Sequence, residues 1–400
     1  MRITALATAV AAAIIAACAG GAHAAPAPRP EPKIPPVASL TDGVWMKGDL
    51  HIHSRHSKDS SNNPVRKIVA LAEAVGMDYL LISDHDNHVD GDVAHHTWAD
   101  PEYTSKSMVL LYGAEWTTHR GHGTALAARP YDHQRLYDVS DARDVDIAKV
   151  KKALGIHLSA NHPGTRDAFA FSFDLVDSVE AWNSAVWANN AGNMHIWDDM
   201  LKSGRHMTGR GGSDSHHGYP DTPEQKTNLS YQAPENNVGT PTTWVFARIP
   251  PGGTRTGQAV VDALTNGRVA VSANPFTPRV EFTADLNGDG HPDMMQGDNA
   301  NPTGRPVAFH VQLAGKSVVP TATYTVRVVK DGQPFQKLTM TGAAAGLDFS
   351  DTPARGVRTY YRVEVEGPPT PYPQVPGSMA LSGTMLGLSN PIYFNFDPKF

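Results

Sequence analysis

The amino-acid sequence predicts an α/β domain followed by a smaller all-β domain. Short apolar runs alternate with segments of helical periodicity over residues 44–274, which is typical of a parallel sheet or barrel flanked by helices. Apolar and polar residues then alternate within short segments of residues 275–400, between turns rich in Gly and Pro. This second pattern is typical of an antiparallel β-sandwich. A chain of 400 residues is long enough to build both domains.

Individual elements follow from the same patterns. The strands predicted in the α/β domain include residues 79–82, 108–112 and 178–182, and the helices include residues 63–75, 145–153 and 191–203. In the all-β domain the predicted strands include residues 307–313, 321–329 and 360–365. The residues of chemical interest follow the strands of the first domain, which is where α/β folds place their sites.

Residues 1–24 are predicted to be an export signal. Arg2 precedes an apolar run that is too short to span a bilayer. Cleavage after Ala24, which ends a small-x-small pattern, would release a soluble protein. Cleavage before Cys18 would instead leave a lipidated cysteine, the one membrane attachment that the sequence offers. Both alternatives predict a periplasmic or secreted protein, and the Pro-rich residues 25–43 are predicted to be an extended linker.

The composition argues against a nucleic-acid-binding protein and indicates a metal-binding one. The net charge of -6 and the absence of a long basic run argue against a nucleic-acid surface. The single Cys excludes an internal disulfide. The chain carries 19 His, and most of them lie between His51 and residue 217. Because imidazole is the commonest metal ligand, this local excess indicates a metal site.

The first candidate ligands are His51 and His53. Residues i and i+2 of a strand face the same side, so both imidazoles can reach one ion. Alone the pair is a weak signal, because two solvent-facing His on an edge strand give the same pattern. The signal grows because further His, Asp and Glu residues follow successive strands, namely Asp59, His85, Glu115, His122, His162, Asp214 and His216. Each has an ordinary alternative, such as a helix cap or a turn, but together they predict a metal cluster.

These motifs resemble those of the polymerase and histidinol phosphatase (PHP) superfamily: His-x-His, Asp-His after a strand, a strand-end Glu, His-Pro and a terminal Asp-x-His. Longer strings resemble its carbaryl-hydrolase-like branch, namely residues 48–53 (GDLHIH), 113–116 (GAEW), 179–183 (VEAWN), 212–216 (GSDSH) and 388–393 (LSNPIY). The resemblance extends from about residue 44 to the chain end.

The resemblance implies a distorted seven-stranded (βα) barrel that holds two or three divalent ions of Zn, Mn or Fe. A first ion would be bound by His51, His53, Glu115 and Asp214, and a second by Asp59, His85 and His216. A third would be bound by His122 and His162, with Glu115 shared between the first and third ions. Asp59 stands where some relatives have His, which favours Mn or Fe over Zn.

Such a cluster predicts a hydrolase in which a hydroxide bridging two ions is the nucleophile. A phosphoesterase acting on a small-molecule or phosphoester substrate is the first hypothesis, because the superfamily most often cleaves phosphate esters. A carbamate, ester or amide hydrolase is the second, and a non-catalytic surface binding protein is the third. Arg55, His56, His119 and Arg210 are candidates either for contacts with the substrate or for contacts that support the ligands, and a surface salt bridge is the alternative for each Arg.

A separate motif lies near the start of the all-β domain. Residues 285–293 (DLNGDGHPD) match the start of a calcium-binding loop, with candidate ligands Asp285, Asn287, Asp289, His291 and Asp293. Position twelve of the loop is Gln296 instead of Glu, so a complete EF-hand is not predicted. The alternative is a turn between strands that is rich in Asp and Asn.

Overall fold

The computed structural model describes residues 43–60, 63–88, 93–165, 167–216, 237–250, 252–372 and 384–397. The predicted signal, Cys18 and almost all of the predicted linker lie outside these ranges. Within them, no helix is both long enough and apolar enough to traverse a lipid bilayer.

The described residues form a mixed α/β fold with many strands and few helices. The α-helices are α1 (Val65–Ala74), α2 (Val93–Ala99), α3 (Gln134–Tyr137), α4 (Asp144–Leu154), α5 (Ala191–Ser203) and α6 (Gly257–Thr265). Short 3-10 turns span Lys58–Ser60, Phe173–Leu175 and Trp187–Asn190.

The strands fall into two stretches of the chain. The first ten are β1 (Gly43–Asp49), β2 (Tyr79–Leu80), β3 (Val109–Leu110), β4 (Tyr112–Thr118), β5 (Gly121–Ala127), β6 (His157–Ala160), β7 (Ser178–Asn183), β8 (Thr208–Gly212), β9 (Thr242–Arg248) and β10 (Val269–Ser272). The C-terminal strands are β11 (Arg279–Asp285), β12 (Met294–Met295), β13 (Asn299–Ala300), β14 (Val307–Ala314), β15 (Thr323–Lys330), β16 (Gln333–Thr341), β17 (Gly346–Asp351), β18 (Thr359–Glu366), β19 (Met385–Ser389) and β20 (Ile392–Phe394).

The predicted helices are confirmed as α1, α4 and α5, and the predicted C-terminal strands as β14, β15 and β18. Helix α5 matches its prediction at both ends. It stops at Gly204, whose φ of 97° lies in the left-handed region that terminates helices and suits glycine. The predicted strand 108–112 is instead divided between β3 and the start of β4.

The sheets are mixed, whereas the sequence predicted a parallel sheet in the first domain. Strands β6, β7 and β8 are parallel, as are β1, β2 and β3. However, β4 and β5 pair antiparallel, and β9 lies antiparallel to β1. Strands β4 and β5 are antiparallel because only a short turn joins them, whereas a parallel pair requires a long crossover connection.

Three sheets contain these strands. One has five strands in the order β4-β5-β6-β7-β8, and one has four in the order β12-β11-β14-β17. The largest has eleven, including the path β13-β20-β18-β19-β10-β9-β1-β2-β3. Because β10 pairs antiparallel with β19, the largest sheet contains strands from both sides of the predicted boundary at residue 274. The C-terminal strands β13, β15, β16 and β18–β20 thus belong to the same sheet as β1–β3, whereas β11, β12, β14 and β17 form the four-stranded sheet.

Two short bridges connect the ends of β1 and β2 to the five-stranded sheet. Ile52, just beyond β1, pairs with Ser215, just beyond β8, and His85 pairs with Glu115 of β4. The amide of Asp214 donates to the carbonyl of His51 at 2.8 Å, and the amide of His53 donates to Ser215 at 2.8 Å. These bonds hold the two chain segments that carry the candidate ligands side by side.

Candidate metal centre

All nine predicted ligands meet in one cluster. They come from chain segments far apart in sequence, at or near the ends of β1, β2, β6 and β8, within β4 and β5, and in the 3-10 turn after β1. Five overlapping groups of three have ligand atoms close enough to hold an ion, and each draws on this set or on His88. The described residues can therefore hold several metal ions in one place.

In the first predicted group, His51, His53 and Asp214 have ligand atoms within 4.8 Å of one another, and Glu115 lies beside both imidazoles. The Nε2 of His51 lies 3.3 Å from Glu115 Oε1 and 3.4 Å from Asp214 Oδ1. The Nε2 of His53 lies 3.4 Å from Glu115 Oε2 and 3.3 Å from Asp214 Oδ1. These separations are longer than most hydrogen bonds. They match donors placed tetrahedrally around one ion, because bonds of about 2.1 Å set neighbouring donors roughly 3.4 Å apart.

Several buried atoms in the cluster have no hydrogen-bond partner. They are the Nε2 of His53, the Oε2 of Glu115, and the Nδ1 atoms of His122 and His88. Leaving a buried polar atom unpaired is costly, so each such atom needs an explanation. The donor set is imidazole nitrogen and carboxylate oxygen, which suits Zn, Mn or Fe. The residues present therefore fit a bound metal on both geometry and chemistry.

The second predicted group is also brought together. Asp59 Oδ2 lies 3.4 Å from the Nε2 of His85 and 3.3 Å from the Nε2 of His216. The other ring nitrogen of His85 is 2.7 Å from the Oγ1 of Thr117. A hydrogen bond to one imidazole nitrogen fixes the tautomer and leaves the second nitrogen free for a metal.

The third predicted group shares Glu115 with the first. The Oε1 of Glu115 lies 3.3 Å from the Nδ1 of His122 and 3.5 Å from the Nε2 of His162. The Oε2 of Glu115 lies 3.4 Å from the Nε2 of His53 and 2.9 Å from the Nδ1 of His85, and the side chain is fully buried. Each oxygen of Glu115 therefore faces candidate ligands of two groups, so this carboxylate could be shared between ions.

The cluster has a buried floor and an accessible rim. The side chains of His51, His53 and Glu115 are 0% exposed, whereas Asp59 is 42% and Asp214 is 22% exposed. A ligand in solution can thus approach the cluster from the side of the two Asp residues. A purely structural metal site is normally closed, whereas a catalytic one keeps an open position.

Glu180 supports the floor from behind. Its Oε1 lies 2.9 Å from the Nδ1 of His51, and its Oε2 accepts a hydrogen bond from the amide of His162 at 2.9 Å. Gly212 lies against the same carboxylate, and a Cβ at that position would overlap Glu180 Oε1 and the Cβ of His51. The close approach explains why glycine stands there.

Arg210 joins Glu180 to the rest of the floor. Its fully buried guanidinium donates to Glu180 Oε1 at 2.9 Å, to the Oδ1 of Asn161 at 2.6 Å and to the Oγ of Ser159 at 2.6 Å. Asn161 in turn donates to Glu115 Oε1 at 2.8 Å. Arg210 thus acts through Glu180 and Asn161 on two candidate ligands, and its burial keeps it away from a substrate. Asn161 is not among the site residues that the sequence predicts, and its one signal is its place directly before His162.

Two ligands occupy unusual backbone conformations. His162 has a φ of 28° and Asp214 a φ of 51°, in the left-handed region that residues other than glycine rarely adopt. Such conformations cost about 1–3 kcal/mol each and cluster at functional sites. The amide of His162 donates to Glu180 and the amide of Asp214 donates to the carbonyl of His51, and these bonds help to hold both backbones in this conformation.

Charge in the cluster is balanced by protons when no metal is bound. Burial opposes ionisation of Glu115, but His85, His51 and His122 hold its pKa well below the usual range. Burial likewise opposes the charged form of His85, yet Glu115 and Asp59 raise the pKa of His85 to about 10. Burial and the neighbouring His216 and His85 lower the pKa of His53, so its ring is neutral and can act as a ligand.

The other candidate substrate contacts lie outside the cluster of ligands. Arg55 and His56 both contact Asp100, at 2.6 and 2.8 Å, and Arg55 also lies 3.3 Å from Glu102. His119 is 72% exposed and pairs with Asp141 at 3.2 Å. For Arg55 the observed contact is the salt bridge that the sequence analysis held as the alternative.

The predicted calcium loop closes on itself. Asp285 accepts hydrogen bonds from the amides of Asn287, Gly288 and Gly290, and Asp293 accepts from the amide of Leu286 and the side chain of Asn287. Gly288 and Gly290 both have left-handed φ values. The Asp- and Asn-rich turn is therefore present, and calcium binding by it stays a prediction.

Comparison with known proteins leaves the family open. No family model and no curated protein matches the chain. Among solved structures, the soluble domain of PmoD from Methylocystis sp. is similar over 30% of this chain and 92% of its own, with 7% identity and a TM-score of 0.21. An engineered protein is similar over 82% of this chain and 79% of its own, with 14% identity and a TM-score of 0.18. Similarities of this extent do not establish a shared fold, so a function has to be argued from the site.

Proposed function

We propose that this chain is an exported, metal-dependent hydrolase that acts on phosphoesters and holds two or three divalent ions of Zn, Mn or Fe. One observation carries the proposal. Nine His, Asp and Glu side chains converge at ligand-to-ligand spacing, and buried atoms of His53, Glu115 and His122 have no hydrogen-bond partner among the described residues. A bound cation would satisfy these atoms together.

Bound divalent ions would lower the pKa of water from 15.7 to about 7 and neutralise negative charge that develops on the substrate. The protein contributes position and polarity. His51 is oriented by Glu180, and Glu115 by Asn161. The rim at Asp59 and Asp214 leaves room for a substrate, while the buried floor excludes bulk water from one side of the cluster.

Charge balance favours an anionic substrate. Three ligand carboxylates belong to the cluster, those of Asp59, Glu115 and Asp214. The nearby Glu180 is neutralised by Arg210, which is buried with it. Three divalent cations carry more positive charge than three carboxylates can balance, so the loaded site would attract a phosphate group.

We further propose that the chain belongs to the PHP superfamily and that the strands from β1 to β8 close into its distorted barrel. The support is the order of the motifs, together with the bridges Ile52–Ser215 and His85–Glu115. These link the large sheet to the five-stranded sheet at two places. We propose as well that the C-terminal strands pack as a sandwich, because one apolar cluster joins Phe309 of β14 to Val363 of β18.

A second candidate function is hydrolysis of carbamate, ester or amide bonds by the same site. It is favoured by the strings shared with the carbaryl-hydrolase-like branch, such as residues 179–183. A non-catalytic binding protein is the third candidate, and the accessible rim of the cluster speaks against it.

The test is a panel of aryl phosphates, aryl carbamates and aryl esters, offered to protein reconstituted with Mn, Fe or Zn. We expect turnover of phosphates, and its loss in His53→Ala but not in His195→Ala. His195 is a suitable control because it is 74% exposed and its ion pair is with Asp199, which is not a candidate ligand. Turnover of carbamates alone would replace the first candidate by the second, and no turnover with any metal would favour the third.

A further inference from the structure

We propose that His88 is a further metal ligand of this protein, and that it shares with Asp59 the binding of the second ion. The inference rests on the proposed metal-binding function and adds a ligand to the set that the sequence predicts. Its basis is the juxtaposition of Asp59, His85 and His88, whose ligand atoms all lie within 4.8 Å of one another.

The two oxygens of Asp59 face different partners. Oδ2 faces His85 and His216, at 3.4 and 3.3 Å, whereas Oδ1 lies 3.6 Å from the Nδ1 of His88. A separation of 3.6 Å is too long for a hydrogen bond. It is close to the spacing of about 3.4 Å that two donors on one ion adopt. One oxygen of Asp59 thus faces His85 and His216, and the other oxygen faces His88.

The Nδ1 of His88 is buried and has no hydrogen-bond partner, although the side chain as a whole is 25% exposed. The ring lies against that of His85, with centroids 4.3 Å apart. A backbone bond of 3.3 Å from the amide of His88 to the carbonyl of His85 folds the chain so that both rings approach Asp59. The residue therefore presents an unsatisfied nitrogen to an acidic group that already faces two imidazoles.

The chemical consequence is a second ion with four protein donors, Asp59, His85, His216 and His88. An ion with four protein ligands resembles a structural site, whereas an ion with three keeps a position for water or substrate. The second ion would then have four protein donors, as the first would. The open position for water or substrate would be left at the ion that His122 and His162 would hold beside Glu115.

The experiment compares His88→Ala and His88→Asn with the wild type and with the control His195→Ala. Cobalt(II) binding is followed by visible absorption, and affinities are measured by competition with a chelator. Asn is chosen because its amide can donate a hydrogen bond to Asp59 but offers no imidazole nitrogen. If His88 is a ligand, both variants weaken one ion by at least about tenfold, leave the others unchanged and alter the cobalt spectrum.

Wild-type affinity and spectrum in His88→Asn would overturn the inference, because His88 would then only orient Asp59. Unchanged binding in both variants would also overturn it, while leaving the proposed metal site intact. If the wild type binds no cobalt, zinc or manganese, the proposed function itself fails. These results are distinguishable from one another without any activity measurement.

Discussion

The Nδ1 of His51 and the Oε1 of Glu180 lie 2.9 Å apart, both fully buried. This contact turns the opposite nitrogen of His51 towards Glu115 and Asp214, so a carboxylate outside the ligand set decides which atom of His51 is offered to a metal. Burial opposes the charge on His51, but Glu180, Asp214 and Glu115 raise its pKa well above the usual value.

Glu180→Gln keeps the shape of the side chain and removes its charge. We expect the affinity for the first ion to fall about 10–100-fold, because loss of a partner that orients a metal-bound imidazole has an effect of this size. Chelator competition with zinc measures the change. Glu366→Gln, which alters a surface pair with Arg327, is the control. Affinity within twofold of the wild type in Glu180→Gln would contradict the role assigned to this contact.

Arg210→Met removes a buried charge and leaves Glu180 without its partner. We expect metal-free protein to lose about 3–5 kcal/mol of unfolding free energy, the range observed when one member of a buried ion pair is removed. Urea denaturation measures this loss. The double variant Arg210→Met/Glu180→Gln should recover part of it, because no uncompensated charge then remains. Equal stability of Arg210→Met and wild type would show that the guanidinium has no role in the floor of the cluster.

A second buried ion pair joins α5 to β18. Arg362 donates to Asp198 at 3.0 and 2.7 Å, and Tyr360 donates to the same carboxylate at 2.9 Å. Arg362→Met should therefore lower the unfolding free energy by about 3 kcal/mol. The pair makes no contact with the candidate ligands, so the number of bound metal ions should stay at the wild-type value. If Arg362→Met folds but binds fewer ions, the prediction is wrong and metal binding depends on the C-terminal sheet region.

Metal binding should release protons. The pKa of His85 is raised to about 10 in the absence of metal, so at pH 8 its ring is protonated and an ion must displace that proton. Zinc affinity should therefore rise about tenfold per pH unit for each proton released, up to about pH 10. Calorimetric titration in two buffers of different ionisation enthalpy measures the release. Absence of any buffer dependence at pH 8 would contradict the charge state assigned to the cluster.

The raised pKa of His85 also affects the stability of the metal-free protein. A raised His pKa stabilises the fold fully below the unfolded value of about 6.5, and this contribution is lost as pH rises through the folded value of about 10. Metal-free protein should therefore lose stability between pH 7 and 10, while stabilisation by zinc increases. Thermal unfolding with and without zinc across this window checks both trends.

Local patterns were sufficient to predict much of the molecule. The helices α1, α4 and α5 follow from apolar periodicity, and most ligand positions follow from polar residues placed just after strands. Glu115 and His122 differ from this pattern, because they lie within β4 and β5. Both signals depend on neighbours within a few residues. The same is true of Gly204, which ends α5.

Contacts between distant residues could not be predicted in this way. The pairing of β10 with β19 joins residues more than a hundred positions apart, and nothing in either strand specifies its partner. The bond from Arg210 to Glu180 is of the same kind, so the sequence could not decide whether Arg210 contacts a substrate or supports the ligands. The sequence shows only that His88 lies three residues after His85, and it is the fold that brings its ring to Asp59.

The metal content of the purified protein tests the central claim most directly. After reconstitution with Mn, Fe or Zn and removal of loosely bound ions, elemental analysis should find two or three ions per chain, and fewer in His53→Ala. Fewer than two ions per chain with all three metals would contradict the multinuclear site, and with it the proposed hydrolase.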